Sequence, residues 1–321
     1  MNIPTPTSPD IAAMFSPENF RDLGHRLIDL LADHLAGNLA GQDAVMRWQA
    51  PETADKAWQA PLPNEPLLDA AGLLDRLKND ILPSSLAIHH PHNMGHQVAT
   101  PLPLAALCDL VAALTNQAMA VYETGPSATM LERQVLRWLG ELIGWQNAGG
   151  ILTSGGAQAN LTALLAARQH AADVWDHGVA DVKPLRILVS EHAHYSISRA
   201  AGIMGLGTDA VISIPTDTEG RMLVNALALA HAEALANDTA IMAVVATAGC
   251  TPTGSIDPLL EIGHYCRDHG LWLHVDGAHG ASALLSPQHR AALEGIALAD
   301  SVVWDGHKLL YMPAAVSAVL F

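Results

Sequence analysis

From Gly150 to the last residue the sequence alternates short apolar runs with helical stretches, and no other feature restricts the fold as much. Runs at Gly150–Thr153, Arg186–Val189, Ile241–Thr247, Leu271–Val275, Ser301–Trp304 and Ala315–Leu320 predict strands. Segments at Ala157–His170, Ser196–Met204, Leu223–Asn237 and Pro258–His269 predict helices between several of them. Such alternation implies an α/β fold with a mostly parallel central sheet, whose ligands bind at the carboxyl ends of the strands.

Upstream of Gly150 the texture is helical. Between Pro17 and about Ala36, Phe20, Leu23, Leu27, Leu30 and Leu31 share one stripe. A second helix is predicted near Leu68–Ile81, stopped at Pro83, and two more over Leu104–Ala120 and Met130–Ile143. In the last of these Leu131, Val135, Trp138, Leu139 and Leu142 line one face, with Ser127 or Thr129 as N-cap. The Pro- and Trp-bearing stretch Trp48–Pro66 reads as an extended connector. The opening segment is too small to bury a core alone. Residues 1–85 are therefore expected to be a helical arm and connector packed on another subunit, and residues 86–321 the α/β large domain. The chain stops on AAVSAVLF, an apolar strand with no closing helix, which predicts a fragment whose large domain is incomplete at its C-terminal end.

Charge narrows the partners. Sixteen basic against 32 acidic residues leave a formal charge of −16, which disfavours nucleic acid and anionic membrane surfaces. No apolar run approaches the roughly 20 residues of a membrane span, and MNIPTPTSPDIAAMF lacks the basic and apolar regions of a secretory signal. Three cysteines, Cys108, Cys250 and Cys266, fit a reducing compartment, so a cytoplasmic protein is expected. His89, His90, His92 and His96 invite a zinc reading. Pro91, Asn93 and Gly95 argue against the helix that would bring His92 and His96 together, and no metal is expected.

Three features share one chemical explanation. Asp276 ends the run LWLHVD, and a carboxylate there would sit at the ligand crevice, although an N-cap for the next element is the plainer reading. Lys308 follows the strand SVVW within Asp305-Gly306-His307-Lys308, flanked by an apolar run in a chain poor in basic residues. The turn Thr153-Ser154-Gly155-Gly156-Ala157 opens a helix, where backbone N–H groups can cradle a phosphate. It has neither the GxGxxG nor the GxxxxGK[ST] spacing, so NAD and ATP are disfavoured. A phosphate cradle, a carboxylate for a ring nitrogen and a lysine for an aldehyde together meet the requirements of pyridoxal phosphate. His194, just after the strand RILV, could stack on the cofactor ring and move a proton, with His192 as the competing choice.

The combination resembles the group II pyridoxal-phosphate-dependent amino-acid decarboxylases, which include the aromatic amino acid, glutamate, cysteine sulfinate and diaminobutyrate enzymes. HVDGAHG is similar to that family's HVDAAxxG, DGHK to its NPHK, and SEHAHYS to its S[DE]xxHxS. The resemblance implies a fold type I, transferase-like large domain, a homodimer, and decarboxylation of an L-amino acid to the amine and CO2. It implies Lys308 as the Schiff-base lysine, Asp276 as the pyridinium partner, Ala278 under the ring, and His194 stacked on it. Gly155, Gly156 and Ala157 would form the phosphate turn, with His307 and Asp305 beside the phosphate and Thr251 near the cofactor. HHPHNMGHQ resembles the substrate-entry segment, placing His96 and Gln97 near the substrate carboxylate, and VYETGPSAT is where a second subunit would contribute. Asp305 stands where the family has Asn, and Ala157 where many relatives have Ser or Thr. The family continues past the lysine strand into a mobile loop and a small C-terminal domain that this sequence lacks. An aminotransferase, another carbon–nitrogen or carbon–sulfur lyase of the same fold, and an inactive truncated remnant are the alternative readings.

Overall fold

The structure, a computed structural model, describes residues 15–62, 64, 69–94 and 97–321. The chain divides into two compact units, Met1–His96 and Gln97–Phe321.

The first unit is helical. Helix α1 (Pro17–Leu39) starts where Ser16 accepts the N–H of Asn19 and Pro17 occupies the first turn. Its stripe is only partly covered, since Phe20 and Leu31 remain exposed. The connector expected to be extended contains a helix instead, α2 (Pro51–Trp58). Pro51 at its start, Glu52 in the first turn and Lys56 in the last suit a short helix, and these local signals outweigh the flanking prolines. Helix α3 (Ala70–Arg76) is capped by the Asp69 carboxylate, which accepts the Gly72 N–H at 2.8 Å. It widens into a π turn over Leu77–Ile81 just before Pro83, which has no N–H to continue an α-helical ladder.

The second unit carries the sheet. Helix α4 (Pro103–Thr115) is shorter than the predicted Leu104–Ala120, because Asn116 turns left-handed (φ 42°) and closes it. Helix α5 (Pro126–Ile143) starts earlier than predicted, capped by Gly125 rather than by Ser127 or Thr129. The strands are β1 (Gly150–Thr153), β2 (Leu185–Ser190), β3 (Val211–Ile214), β4 (Ala240–Thr247), β5 (Leu273–Asp276), β6 (Ser301–Asp305) and β7 (Ser317–Leu320). Helices α6 (Gly156–Ala171), α7 (Ser196–Ile203), α8 (Val224–Ala236) and α9 (Leu259–His269) lie between them in sequence. The strands form one sheet in the order β1-β7-β6-β5-β4-β2-β3, in which only β7 runs against its neighbours. The mostly parallel α/β sheet expected from the alternation is present. Strand β3 escaped the sequence reading because it is a four-residue edge strand, paired on one side only.

Alternate residues of the central strands feed two cores. Leu188, Val244, Ala246, Val275 and Trp304 pack with Leu227 of α8, Ile262 of α9 and Leu136 of α5. Ile187, Val189, Ala243 and Val245 pack on the opposite face with Leu164 and Ala167 of α6 and Ile197 of α7. With both faces covered, the central strands are buried along their whole length, β4 almost wholly apolar and β5 and β6 carrying a few buried polar groups. Trp304 is 1% exposed and donates its indole N–H to Ser282 Oγ at 2.9 Å. Trp304→Ala is expected to cost about 3–5 kcal/mol in chemical denaturation, against ~1–2 kcal/mol for Trp304→Phe, which keeps most of the volume and loses the hydrogen bond.

Candidate active site at the carboxyl ends of the sheet

A cavity of about 220 Å³ opens beyond the ends of β1, β2, β4, β5 and β6. Each of those strands hands over to a loop or helix start that supplies part of its lining: Gly156 and Ala157 after β1, His194 after β2, Thr251 after β4, Ala278 after β5, and His307 and Lys308 after β6. Asp276 and Asp305 are the last residues of β5 and β6 themselves. The structure therefore brings together most of the residues singled out from sequence. His192, the competitor of His194, stays outside the lining, near Gly220. Gly155 caps α6 with φ 148°, a backbone that favours glycine, and is also outside the lining. Gln97 does not line the cavity, but its side-chain amide donates to the carbonyl of Thr251 at 2.8 Å. His96 lies outside the described residues.

Asp276 is 6% exposed, and a carboxylate so placed needs donors. Asn160 Nδ2 donates to its Oδ2 at 2.9 Å and the Ala278 N–H to its Oδ1 at 3.2 Å. Asn160, itself fully buried, also donates to Ser196 Oγ at 2.9 Å and accepts from His274 Nε2 at 3.0 Å. His274 reaches Ser301 Oγ at 2.9 Å, and burial pushes its pKa down to about 4 against the pull of Asp276. His194 meets Ser196 Oγ through Nδ1 at 2.8 Å. Burial is the largest influence on His194 and lowers its pKa, the Asp276 carboxylate opposing it and Lys308 adding to it.

At the other end of the cavity lies a second buried carboxylate. Asp305 is 2% exposed, accepts a hydrogen bond from Ser317 Oγ, and stands 3.0 Å from Lys308 Nζ and 3.7 Å from His307 Nε2. A Cβ on Gly156 would come within 2.9 Å of its Oδ1, so the first residue of α6 has no room for a side chain. Sequence reasoning missed Asn160, Thr247, Gly249, Cys250 and His279, all of which line the cavity. Asn160 follows Gly156 by four residues, and the signal was its place one helical turn inside the phosphate turn. Among the described residues no group of three or more His, Cys, Asp or Glu is arranged to hold a metal ion, and no helix is long and apolar enough to cross a membrane.

Residues 56–321 match the pyridoxal-dependent decarboxylase conserved domain. The chain belongs to that family. It is 32% identical over 262 residues to L-2,4-diaminobutyrate decarboxylase of Acinetobacter baumannii, covering 77% of this chain and 51% of that protein. It is 38% identical over 237 residues to cysteine sulfinic acid decarboxylase of Homo sapiens, covering 74% of this chain and 48% of that protein. Among solved structures, mouse CSAD in apo form superposes with a TM-score of 0.90 at 31% identity, over 95% of this chain and 65% of that one. Tryptophan decarboxylase of Catharanthus roseus, at 22% identity and a TM-score of 0.86, shares the fold. The chain spans about half the length of the curated relatives it matches.

The cofactor of the family, pyridoxal phosphate, fits the groups present. Thr247 Oγ1 and His279 Nδ1 are buried on the cavity lining without a hydrogen-bond partner, so the protein leaves polar atoms for a polar occupant to satisfy. Asp276 offers a carboxylate to a ring nitrogen, Lys308 an amine to an aldehyde, and the start of α6 a site for an anion. Asp305 is the discordant member, an acid at the anion end. Asp305→Asn is expected to bind pyridoxal phosphate about tenfold more tightly by relieving like-charge repulsion. Equilibrium dialysis checks this against pyridoxal, which has no phosphate and is expected not to share the gain.

Proposed function

We propose that this chain decarboxylates an L-amino acid to its amine and CO2. The observation that carries the reading is the convergence on one cavity of Lys308, Asp276 and the first turn of α6, from three separate strand ends. When bound, pyridoxal phosphate supplies an aldehyde for the amino group and a ring that accepts the electron pair of the breaking bond to the carboxylate. In this reading Lys308 provides the amine to which the cofactor attaches. Asp276 holds the ring nitrogen in its protonated form, which an ion pair between a carboxylate and a pyridinium favours. Ala278 and His194 pack the ring, and His194 moves a proton at its ring nitrogen. Gly155, Gly156 and Ala157 hold the phosphate through backbone N–H groups, with His307, Asp305 and Thr251 around it. His96 and Gln97 act at the substrate carboxylate; the anchoring of Gln97 on Thr251 supports this, because it ties Gln97 to a residue of the cavity wall.

A small polar or acidic amino acid suits the polar entry segment better than an aromatic one, and the diaminobutyrate and cysteine sulfinic acid enzymes among the relatives agree with that preference. The cysteines are free thiols, with Cys108 exposed, which supports a cytoplasmic location. The chain, loaded with pyridoxal phosphate, is expected to absorb in the visible and to release CO2 from one member of an amino-acid panel. Lys308→Ala is expected to lose the visible band and to lower turnover by a factor of roughly 10³ or more. Formation of a keto acid in place of CO2 favours an aminotransferase, and a colourless wild-type protein rejects the reading.

The chain also pairs with a second copy of itself in this proposal. Helix α4 leaves Leu104, Leu107, Leu110, Val111 and Leu114 exposed, an apolar face of the kind that protein–protein contacts cover. The N-terminal arm and the Val121–Thr129 segment are the further elements proposed to meet the partner. Light scattering after size exclusion is expected to give twice the chain mass for wild type and a monomer for Val111→Glu/Leu114→Glu. A monomeric wild type at micromolar concentration sinks the pairing.

A further inference from the structure

The buried polar groups between Asp276 and His194 form a chain in which the direction of every hydrogen bond is forced. A carboxylate offers acceptors only, so the atom of Asn160 that meets Asp276 Oδ2 at 2.9 Å must be the amide nitrogen. That choice turns Asn160 Oδ1 toward His274 Nε2, 3.0 Å away, which must then carry the proton. His274 Nδ1 in turn accepts from the Ser301 hydroxyl at 2.9 Å, and Ser301 Oγ accepts the Trp272 indole N–H at 2.9 Å. The second hydrogen of the Asn160 amide goes to Ser196 Oγ at 2.9 Å. Ser196 is therefore left with its own proton to give, and the atom 2.8 Å away is His194 Nδ1. The backbone N–H of Ser196 points at the same nitrogen, at 3.2 Å.

Two donors on Nδ1 leave only one neutral tautomer for His194. We propose that Asn160 and Ser196 are positioning residues that transmit the charge of Asp276 to His194 and fix its imidazole with the proton on Nε2. The nitrogen that keeps the proton is the one turned away from Ser196. Burial acts in the same sense, since it disfavours the doubly protonated ring. The tautomer follows from the buried network alone. Its consequence, that His194 presents a proton rather than a lone pair at Nε2, rests on the role proposed above for His194.

The arrangement has three properties that a merely space-filling pair would not need. Asn160 is 1% exposed and spends both amide hydrogens and its carbonyl on named partners. Ser196 is 2% exposed and uses its hydroxyl as donor and acceptor at once. The two stand on different helices, α6 and α7, so the relay also sets where those helix starts lie around the cavity.

The test uses the full chain, isotope-labelled at the histidine ring nitrogens and purified without cofactor, so that it reads the tautomer apart from turnover. Proton–nitrogen correlation spectra report which ring nitrogen is protonated, and the His194 signals are those lost in His194→Gln. Wild type is expected to hold the Nε2–H form over the Nδ1–H form by about tenfold or more, the worth of one or two hydrogen bonds. Ser196→Ala and Asn160→Leu are each expected to lower that ratio by roughly tenfold, and Ser196→Thr, which keeps the hydroxyl, to retain it. A proton on Nδ1 in wild type overturns the proposal, and needs no variant to fold. A ratio that moves in Ser196→Ala but not in Asn160→Leu overturns the link to Asp276. Absence of CO2 release would reject the decarboxylase reading and leave this measurement unaffected.

Discussion

The structure depends on keeping one charge, the Asp276 carboxylate, at the end of a strand that is covered on both sides. A lone carboxylate in such a place would be costly, and the cost is offset only if donors reach it. Asn160 can reach it because α6 lies close to the sheet, and α6 lies close because Ala159, Ala163 and Ala167 on its inner face are small and fully buried. A larger residue at any of the three would lift the helix and strand the carboxylate. The packing of α6 is in this sense an electrostatic requirement as well as a hydrophobic one. His274, 0% exposed within β5, completes the arrangement by accepting and donating one hydrogen bond each as a neutral ring.

Topology does the rest of the gathering. Parallel strands present their carboxyl ends together, which is why residues as distant in sequence as Gly156 and Lys308 share a wall. Strand β7 runs the other way between β6 and β1, and this inversion places Ser317 opposite Asp305 in register. The Ser317 hydroxyl donates to Asp305, so the antiparallel strand furnishes a donor to the second buried carboxylate. Two acids are thus stabilised by two separate devices, a helix asparagine for Asp276 and a strand serine for Asp305.

Much of this was legible in the sequence. Apolar runs that end in Asp276 and Asp305-Gly306-His307-Lys308 located two strand ends and the groups they carry, because a strand buried on both faces is mostly apolar up to the charged residue that closes it. Strand β3 did not stand out, since four residues at an edge give too short a run. Helix α2 was hidden by prolines that flank it, although Pro51 in fact begins it. Asn160, His274 and Ser196 were not assigned a role, and only Asn160 carried a signal, its place one helical turn into α6. The contacts that join Asn160 to Ser196, His274 and Asp276 span 36 to 116 residues, brought within reach only by the sheet. Groups that touch a ligand can be guessed from motif chemistry, whereas groups that hold those groups are defined by three-dimensional neighbours.

Asp305 shows how closely the two ends of the cavity are linked. Its carboxylate lies 3.0 Å from the Lys308 amine and, on its other side, fills the space that a side chain at Gly156 would need. An anion arriving at the start of α6 meets that negative charge, and the Lys308 amine is held by the same carboxylate. Attraction to Lys308 and repulsion of a phosphate therefore cannot be adjusted separately through this residue. An amide in its place would remove the repulsion and would also leave the amine without an anionic partner. The acid at this position couples the electrostatics at the start of α6 to those of the Lys308 amine, two properties that a neutral side chain would leave independent.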